Sequence, residues 1–200
     1  MGNFIVDCVL QDGTFIEIQT THFYKLRSKI SFLLLHRPVR IVYPLPLEKE
    51  LLVFDVIKRC LLYKRKSPKH AKLVEAAGEL YWLAKLIKHP NLEIELLLTR
   101  EEEIRCRDGR GSFWRRRISL VDRSLKEVVE KRLLSCRADY AALFLSPRLV
   151  QPFTTKELAS VFSITSRLAF RVIKVLSELG ILELCAKKGR TFLYRTIGSF

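Results

Sequence analysis

The feature that most constrains this chain is a pair of apolar segments that flank Asp12 and Gly13 near its beginning. Asp-Gly between two such segments is a strong signal for a tight β-hairpin. If Gln11, Asp12 and Gly13 form a three-residue loop, Gly13 supplies the left-handed residue that this loop type needs. Asp7 then lies opposite Glu17, whereas a two-residue loop would mix charged and apolar side chains on both faces. The sequence therefore predicts the three-residue loop.

This register separates the side chains of the hairpin into an apolar and a polar face. The predicted apolar face consists of Phe4, Val6, Cys8, Leu10, Ile16 and Ile18. Glu17 and Gln19 are two residues apart and therefore share a face, which Asp7 joins from the first strand. Two neighbouring carboxylates repel each other unless one is protonated or a cation lies between them. Oxygen ligands of this kind suit Mg²⁺ or Mn²⁺, and a bound metal ion activates water for attack on a phosphoryl group.

A helix and a third strand follow the hairpin. Apolar residues recur at helical spacing between Phe23 and Leu34, and residues 39–43, apart from Arg40, are apolar on both faces, as in a parallel strand after a crossover. Asp7, then Glu-x-Gln over 17–19, a helix and an apolar strand together resemble the core of the PD-(D/E)XK nucleases. The resemblance covers the first quarter of the chain and implies a restriction-endonuclease-like mixed sheet.

The resemblance assigns a role to each polar residue of the hairpin. It implies that Asp7, Glu17 and the carbonyl group of Ile18 bind the metal ion. Gln19 stands where the family usually has a lysine that orients the attacking water, so the implied catalytic set is Asp7, Glu17 and Gln19. Gln19 carries no positive charge, and the resemblance therefore leaves open whether the fold hydrolyses phosphodiesters.

The sequence predicts a middle α+β section after this core. Pro44 and Pro46 are predicted to end the third strand, since proline has no N–H group for a ladder hydrogen bond. Further along, residues 124–134 are predicted to form a helix because apolar residues recur there at helical spacing. The predicted inward face of that helix carries Leu125, Val128, Val129 and Leu133.

An arginine-rich hairpin is predicted within the middle section. Seven arginines lie between Arg100 and Arg117, and they include the run Arg115, Arg116 and Arg117. Guanidinium groups bind phosphate oxygens with two parallel hydrogen bonds, so this hairpin is a candidate phosphate clamp. A set of surface ion pairs with the nearby glutamates is the alternative.

The C-terminal residues 152–197 give the clearest pattern of the chain. Thr154 and Glu157 form a predicted capping box, Thr165 caps a second helix, and Gly180 is placed to end it. Two short strands around a basic turn follow. This order resembles the winged helix-turn-helix family, in which the second helix enters the major groove and the wing contacts the backbone. The implied DNA-binding residues are Ser166, Arg167, Arg171 and Lys174 on the helix and Lys187, Lys188 and Arg190 on the wing. Phe170 shares the outward face, where an exposed aromatic side chain is uncommon.

The whole chain also resembles an uncharacterised bacterial family that joins a nuclease-like core to a C-terminal winged helix. The predicted domains are the core over 1–66, the middle section over 67–150 and the winged helix over 151–200. The predicted fold class is therefore α/β (α+β).

Composition favours a nucleic-acid partner. The net charge is +15, and 48% of the 200 residues are hydrophobic, which is enough for a folded core. The five cysteines are widely spaced and include no CxxC pair, so neither a disulfide framework nor a zinc site is indicated. With no apolar run of membrane-spanning length, the sequence predicts a cytoplasmic protein without a membrane partner.

Three functions agree with these features. The first is a DNA-binding protein with a metal-dependent endonuclease site, most naturally acting on double-stranded DNA. The second is a DNA-binding transcriptional regulator that keeps the nuclease fold without activity. The third is a protein-interaction scaffold, which leaves the charge excess unexplained. The oligomeric state is left open, with a homodimer among the alternatives.

Overall fold

The computed structural model describes residues 4–55, 57–111, 113 and 117–198. The chain divides into two compact units. The first unit consists of Met1–Tyr43, Leu73–Leu96 and Arg132–Phe200, and the second unit of Pro44–Lys72 and Leu97–Lys131. The fold class is α+β, as the sequence predicts, with a mixed sheet and several helices.

Most of the strands belong to one mixed sheet. The strands are β1 (Cys8–Val9), β2 (Phe15–Ile18), β3 (Val39–Asp55), β4 (Cys60–Lys66), β5 (Leu92–Arg107), β6 (Ile118–Leu134), β7 (Leu182–Lys188) and β8 (Thr191–Thr196). The sheet has the order β1-β2-β3-β5-β6, with β4 paired to β3, and β7 and β8 form a separate hairpin. β2 and β3 are parallel, and their connection contains a helix.

The helices are short. They are α1 (Arg27–Leu33), α2 (Ala77–Leu80), α3 (Arg137–Phe144), α4 (Thr155–Phe162) and α5 (Ser166–Glu178). 3-10 turns at Phe23–Leu26, Leu73–Ala76 and Tyr81–Leu83 extend the first two of them. Among the residues that the structure describes, no helix has the length and apolar character needed to cross a bilayer.

The register of the first hairpin is the predicted one. Cys8 pairs with Ile16 and Val9 with Phe15, which places Asp7 opposite Glu17. The backbone N–H of Leu10 donates to the carbonyl of Thr14 at 2.9 Å and closes a three-residue loop. Gly13 in this loop has a φ of +85°, a conformation that disfavours side chains. Local turn chemistry therefore fixes this register.

The predicted burial of the hairpin is only partly correct. Ile16 is buried, but Phe4, Leu10 and Ile18 are exposed, and the buried polar residue of β2 is Glu17. The reason is that α1 lies on the Glu17 side of β2, where its Lys29 reaches the carboxylate. β1, with two residues at the end of the sheet, is covered far less than a central strand.

The third strand does not end at its prolines. β3 continues through Pro44 and Pro46 to Asp55. The carbonyls of Pro38 and Val42 accept hydrogen bonds from the backbone of Phe15 and Gln19. The backbone N–H and C=O groups of even-numbered residues in β3 therefore point toward β2. The hydrogen bonds between β2 and β3 end with the one from the Gln19 N–H to the Val42 carbonyl. Pro44 and Pro46, which have no N–H group, come after this bond. No ladder bond to β2 is therefore lost there, which corrects the prediction.

The helix predicted over 124–134 is wrong, because these residues belong to β6. Cross-strand ion pairs join β6 to β5: Arg100 Nη1 lies 2.6 Å from Glu127 Oε2, and Lys126 Nζ lies 3.0 Å from Glu102 Oε1. The apolar residues of this segment fit helical spacing, but Leu125 is 59% exposed. Pairing with a distant strand has overridden the local pattern.

A charged cluster lies inside the second unit. Glu103 on β5 is almost fully buried. Its carboxylate accepts hydrogen bonds from Lys49 at 2.6 Å, Arg123 at 2.9 Å and Arg105 at 2.6 Å. Burial alone would raise the pKa of Glu103, but the hydrogen bonds and charges of Lys49 and Arg105 outweigh it and lower the pKa to about 2. Three cations thus converge on Glu103, and two of them, Lys49 and Arg123, also lie 3.8 and 3.6 Å from Glu101 Oε2.

Replacing this carboxylate is expected to be costly. Glu103→Gln should lower the free energy of unfolding by about 3 kcal/mol at neutral pH, because three partly buried cations lose their nearest carboxylate and only Lys49 and Arg123 keep a longer contact, to Glu101. The folded pKa of about 2 lies below the ordinary value of 4.5, so the stabilisation is present above pH 4.5 and is lost as the pH falls toward 2. Urea unfolding at several pH values measures both effects.

Glu102→Gln is the matched control. Glu102 pairs with Lys126, whose side chain is 54% exposed. The Glu102 side chain is 17% exposed, but the Lys126 ammonium group is open to water, so this pair contributes about 1 kcal/mol or less. Equal losses for the two variants would contradict a structural role for the buried cluster.

The C-terminal elements follow the predicted order. Thr154 and Glu157 form the capping box of α4, with the side chain of Glu157 accepting from the Thr154 N–H at 2.6 Å. The Thr165 hydroxyl caps α5, and Gly180 follows its end with a φ of +64°. The buried face of α5 includes Val172, Ile173, Val175 and Leu176. β7 and β8 then turn at Gly189.

Candidate functional site

The acidic residues of the hairpin lie beside one peptide group. Asp7 is exposed, and its Oδ2 atom accepts a hydrogen bond from the N–H of Ile18 at 2.7 Å. That N–H belongs to the peptide that joins Ile18 to Glu17, the residue opposite Asp7 in the register. The structure therefore brings the Asp7 carboxylate next to the Glu17 backbone, while the Glu17 side chain is 6% exposed.

Lys29 of α1 neutralises Glu17. Its Nζ atom lies 2.6 Å from Oε1 and 2.5 Å from Oε2, so both carboxylate oxygens bind the ammonium group. The Lys29 side chain is itself only 16% exposed. A buried carboxylate requires a cation or hydrogen-bond donors, and Lys29 supplies both at once.

Gln19 is turned toward the segment that follows β2. Its side-chain Nε2 donates to the carbonyl of Thr21 at 2.5 Å, and its backbone N–H donates to Val42 at 3.0 Å. Gln19 therefore shapes the turn into the helical segment that carries Lys29. The position that the resemblance gives to a lysine is occupied by a neutral hydrogen-bond donor, and the positive charge comes from the helix.

The donor set matches a divalent cation poorly in this arrangement. Both oxygens of Glu17 bind Lys29, and Oδ2 of Asp7 binds the Ile18 N–H. A metal ion held by Asp7, Glu17 and the Ile18 carbonyl would compete with Lys29 for the same oxygens. Among the described residues, no three His, Cys, Asp or Glu side chains are grouped so as to hold a metal ion.

Lys29 is the residue of this site that sequence reasoning missed. The sequence carried a signal for it, because Glu17 interrupts an apolar strand and the next helix offers several cations near its apolar stripe. Helical spacing places Lys29 away from the apolar stripe of the helix, where lysine side chains are usually exposed to solvent. Only the packing of α1 against β2 distinguishes Lys29 from Lys25, which is exposed.

The predicted DNA-binding residues of α5 fall into two groups. Ser166 and Arg167 are exposed in its first turn, and Phe170 is 42% exposed with the Lys174 Nζ 5.7 Å from its ring centroid. Arg171 is half-buried instead. Of the residues predicted to contact the DNA groove, those at the beginning of α5 are therefore exposed.

Arg171 binds within the first unit. Its Nη1 atom donates to the carbonyl of Gly78 at 2.6 Å. The guanidinium carbon lies 5.5 Å from the Tyr81 ring centroid and 5.8 Å from that of Trp82. Lys174 lines a cleft of about 300 Å³ with the same two aromatic side chains. This flank of α5 therefore faces the helical segment around α2.

Arg171→Ala is expected to lower the free energy of unfolding by about 2 kcal/mol. The variant loses a hydrogen bond from a charged donor and a cation–π contact. Arg167→Ala, one turn earlier and exposed, should change stability by less than about 0.5 kcal/mol. Urea unfolding of the two variants compares them, and an unchanged stability for Arg171→Ala would contradict the structural role.

The hairpin after α5 presents the predicted basic tip. Lys187, Lys188 and Arg190 are exposed around Gly189. The Lys187 Nζ lies 5.5 Å from the ring centroid of Phe192, and none of the three cations forms an ion pair with a described residue. Their charges are therefore available to an anionic ligand.

The arginine-rich hairpin of the second unit is different. Arg115 and Arg116 lie outside the described residues, and Arg117 is exposed with a φ of +57°. Arg100 binds Glu127, and Arg105 binds Glu103. Arg100 and Arg105 therefore form intramolecular ion pairs, which is the alternative to a phosphate clamp.

Comparison with known proteins places the chain in a family. Residues 1–135 match the family described as "Domain of unknown function (DUF8091)". A protein of Treponema pallidum (strain Nichols), described as an uncharacterized protein, is 30% identical over 194 residues, which are 96% of this chain and 74% of the relative. No solved structure matches the chain at a significant level. Because the match covers more than half of the sequence, the chain belongs to the DUF8091 family.

Proposed function

We propose that this protein binds double-stranded DNA through a basic cluster formed by Arg167, Lys187, Lys188 and Arg190. The observation that carries the proposal is that these four cations are exposed and form no ion pair among the described residues. Residues 151–200 contain eight lysines and arginines but only three acidic residues. A surface of this kind attracts the phosphate backbone of nucleic acid.

The element order of the C-terminal module supports DNA rather than another anion. Two helices joined by a tight turn and followed by a β-hairpin resemble a winged helix, whose second helix and wing bind duplex DNA. α5 would then offer Ser166, Arg167 and its N-terminal N–H groups to DNA, and the β7–β8 turn would contact the backbone.

The packing of Arg171 limits how α5 contacts bases. With its guanidinium group bound to Gly78, Arg171 is not free to reach a base edge. Phosphate contacts would therefore contribute most of the affinity, and discrimination between base sequences would be weak. A catalytically inactive nuclease fold in the N-terminal part agrees with the pairing of Glu17 by Lys29.

The test is a binding titration of labelled duplex DNA with the full chain. Replacing Lys187, Lys188 and Arg190 by Ala is expected to raise Kd at least roughly tenfold at moderate salt. The matched control replaces Lys64, Lys66 and Lys126, which pair with Glu50, Glu48 and Glu102. It removes the same charge and should change Kd far less. Equal increases in Kd for the two variants would show that the affinity for DNA depends on the net charge of the protein and not on the basic cluster. No binding by the intact chain would favour the protein-interaction scaffold.

Metal-dependent phosphodiester hydrolysis is the second candidate. The observation that favours it is the position of the Asp7 carboxylate against the Glu17–Ile18 peptide. The pairing of Glu17 with Lys29 speaks against it.

Plasmid nicking with Mg²⁺ or Mn²⁺ tests this candidate. Asp7→Asn is the suitable variant, because Asp7 is exposed and Asn keeps an acceptor for the Ile18 N–H. Nicking that disappears in this variant would support hydrolysis. Nicking that persists in the Asp7→Asn variant would contradict this candidate. Absence of nicking with the intact protein would do the same, and both outcomes would favour the inactive nuclease fold.

A further inference from the structure

The cleft beside the second half of α5 is formed by three parts of the first unit. They are the beginning of α1, the segment 81–85 and the end of α5. The 3-10 turn Tyr81–Leu83 contacts both α5 and the 3-10 turn Phe23–Leu26 that precedes α1. The cleft is therefore built from elements that pack against one another within one compact unit.

One wall of the cleft is aromatic and is held in place by its neighbours. Tyr81 and Trp82 line the cleft. The Tyr24 and Trp82 ring centroids lie 5.8 Å apart, and the Arg171 guanidinium carbon lies 5.8 Å from the Trp82 ring centroid. Trp82 is still 37% exposed with these contacts made. A fixed and partly open indole is a surface on which a planar ring stacks.

Three cations and one carboxylate line the same cleft. Arg27, Lys85 and Lys174 are exposed, and so is Glu178. In the part of the chain that the structure describes, none of these four side chains forms an ion pair. The lining thus has an excess of two positive charges, which attracts an anionic group.

This combination of side chains selects a ligand with two chemically different ends. A simple inorganic anion would bind the cations, but it would leave the indole unused and would be repelled by Glu178. A neutral aromatic compound would leave the cations without a counter-charge. A nucleotide has a planar base for Trp82, N–H groups on the base edge that a carboxylate accepts, and a phosphate for lysine and arginine.

The size of the cleft limits the ligand further. Sites for small ligands have volumes of roughly 300–1,000 Å³. The volume here is about 300 Å³, at the lower end of that range. The cleft therefore suits one nucleotide better than a dinucleotide.

We propose that this cleft binds a single nucleotide, with the base stacked against Trp82. N–H groups of the base donate to Glu178, and the phosphate binds the three cations of the lining. The ligand is either a free nucleotide or an unpaired nucleotide of a DNA strand, because both present the same base and phosphate. The site goes beyond the proposed function, since the basic cluster contributes none of its residues.

The experiment uses Trp82 as the reporter in the full chain. Trp82 and Trp114 are the two tryptophans of the sequence, and Trp114 lies outside the described residues. Trp114→Phe leaves Trp82 as the single tryptophan. Titration with GMP is expected to quench its fluorescence and to saturate. Guanosine and inorganic phosphate, used as competitors, should each bind at least roughly tenfold more weakly than GMP, because each uses only part of the lining.

A double variant at the phosphate end tests the cations. Arg27→Ala with Lys85→Ala should raise the Kd for GMP at least roughly tenfold. The matched control is Lys25→Ala with Lys88→Ala, which removes the same charge from exposed positions outside the lining. It should keep the Kd of the parent protein, and far-UV circular dichroism should show both variants folded. Equal increases in Kd would overturn the proposal.

Glu178→Gln distinguishes a nucleotide site from a simple anion site. The variant removes a negative charge, so the affinity for inorganic phosphate should rise. The affinity for GMP should fall, because the N–H groups of guanine lose a charged acceptor. A GMP affinity that rises together with the phosphate affinity would overturn the proposal.

Two duplexes identify the source of the nucleotide. One is blunt, and the other carries one unpaired guanosine nucleotide at its end. Tighter binding of the second duplex, lost in the variant at Arg27 and Lys85, would assign the cleft to a DNA strand. GMP binding without this preference would assign it to a free nucleotide. No response to GMP and no preference for the unpaired end would together overturn the proposal.

The same titrations separate this site from the basic cluster. The variant without Lys187, Lys188 and Arg190 should bind both duplexes more weakly and should bind GMP with unchanged Kd. Failure of DNA binding through the basic cluster would therefore leave the GMP result intact, and an altered Kd for GMP in this variant would overturn the proposal.

Discussion

Lys29→Met is expected to lower the free energy of unfolding by about 3–5 kcal/mol, because it leaves the Glu17 carboxylate buried without a counter-charge. Both oxygens of Glu17 bind Lys29, and the two side chains are 6% and 16% exposed. The pair therefore has little water to replace a lost partner. Urea unfolding monitored by circular dichroism gives the size of the loss.

The double variant isolates the interaction itself. Glu17→Gln alone should also destabilise the protein, since it leaves the Lys29 ammonium group without a counter-charge. Glu17→Gln combined with Lys29→Met should recover much of the loss, because neither charge then remains to be buried. Lys25→Met, on the preceding turn and exposed, is the control and should stay within about 0.5 kcal/mol of the wild type. Additive losses in the double variant would contradict the assignment of Lys29 as the partner of Glu17.

DNA affinity is expected to fall roughly 100-fold between 50 and 200 mM salt if the four cations of the basic cluster each contact a phosphate. Each neutralised phosphate releases counterions and contributes about −0.9 to the slope of log K against log salt. Fluorescence anisotropy with a short labelled duplex at several salt concentrations gives this slope.

The slope also tests which residues make the contacts. The variant without Lys187, Lys188 and Arg190 should lose about three phosphate contacts, and its slope should become shallower by about 2.7. The control variant at Lys64, Lys66 and Lys126 should keep the wild-type slope. An affinity that does not depend on salt would contradict the proposed function as a whole.

Local sequence signals predicted the parts of the fold that depend on neighbouring residues. The three-residue loop at Gly13, the capping box at Thr154 and the cap at Thr165 are confirmed by the structure. In each case the backbone groups to be satisfied lie within a few residues of the side chain or turn that satisfies them. The glycine at 180 ends α5 for the same local reason.

The remaining features depend on distant contacts. Leu125 and Val128 have helical spacing but belong to a strand, because β5 supplies the neighbours of β6. Pro44 and Pro46 did not end β3, since β2 had already ended on their side. Helical spacing places Lys29 and Arg171 away from the apolar stripes of their helices, and their partners Glu17 and Gly78 lie 12 and 93 residues away.

The division of the chain has a consequence for the order in which its parts are synthesised. The second unit is complete in sequence once Lys131 has been made, whereas the first unit lacks its third stretch, Arg132–Phe200, at that moment. The partner of Gly78 is Arg171, and α5 closes over a helical segment made long before it. A growing chain must therefore leave the helical segment around α2 without its contacts to α5 until Ser166–Glu178 has left the ribosome.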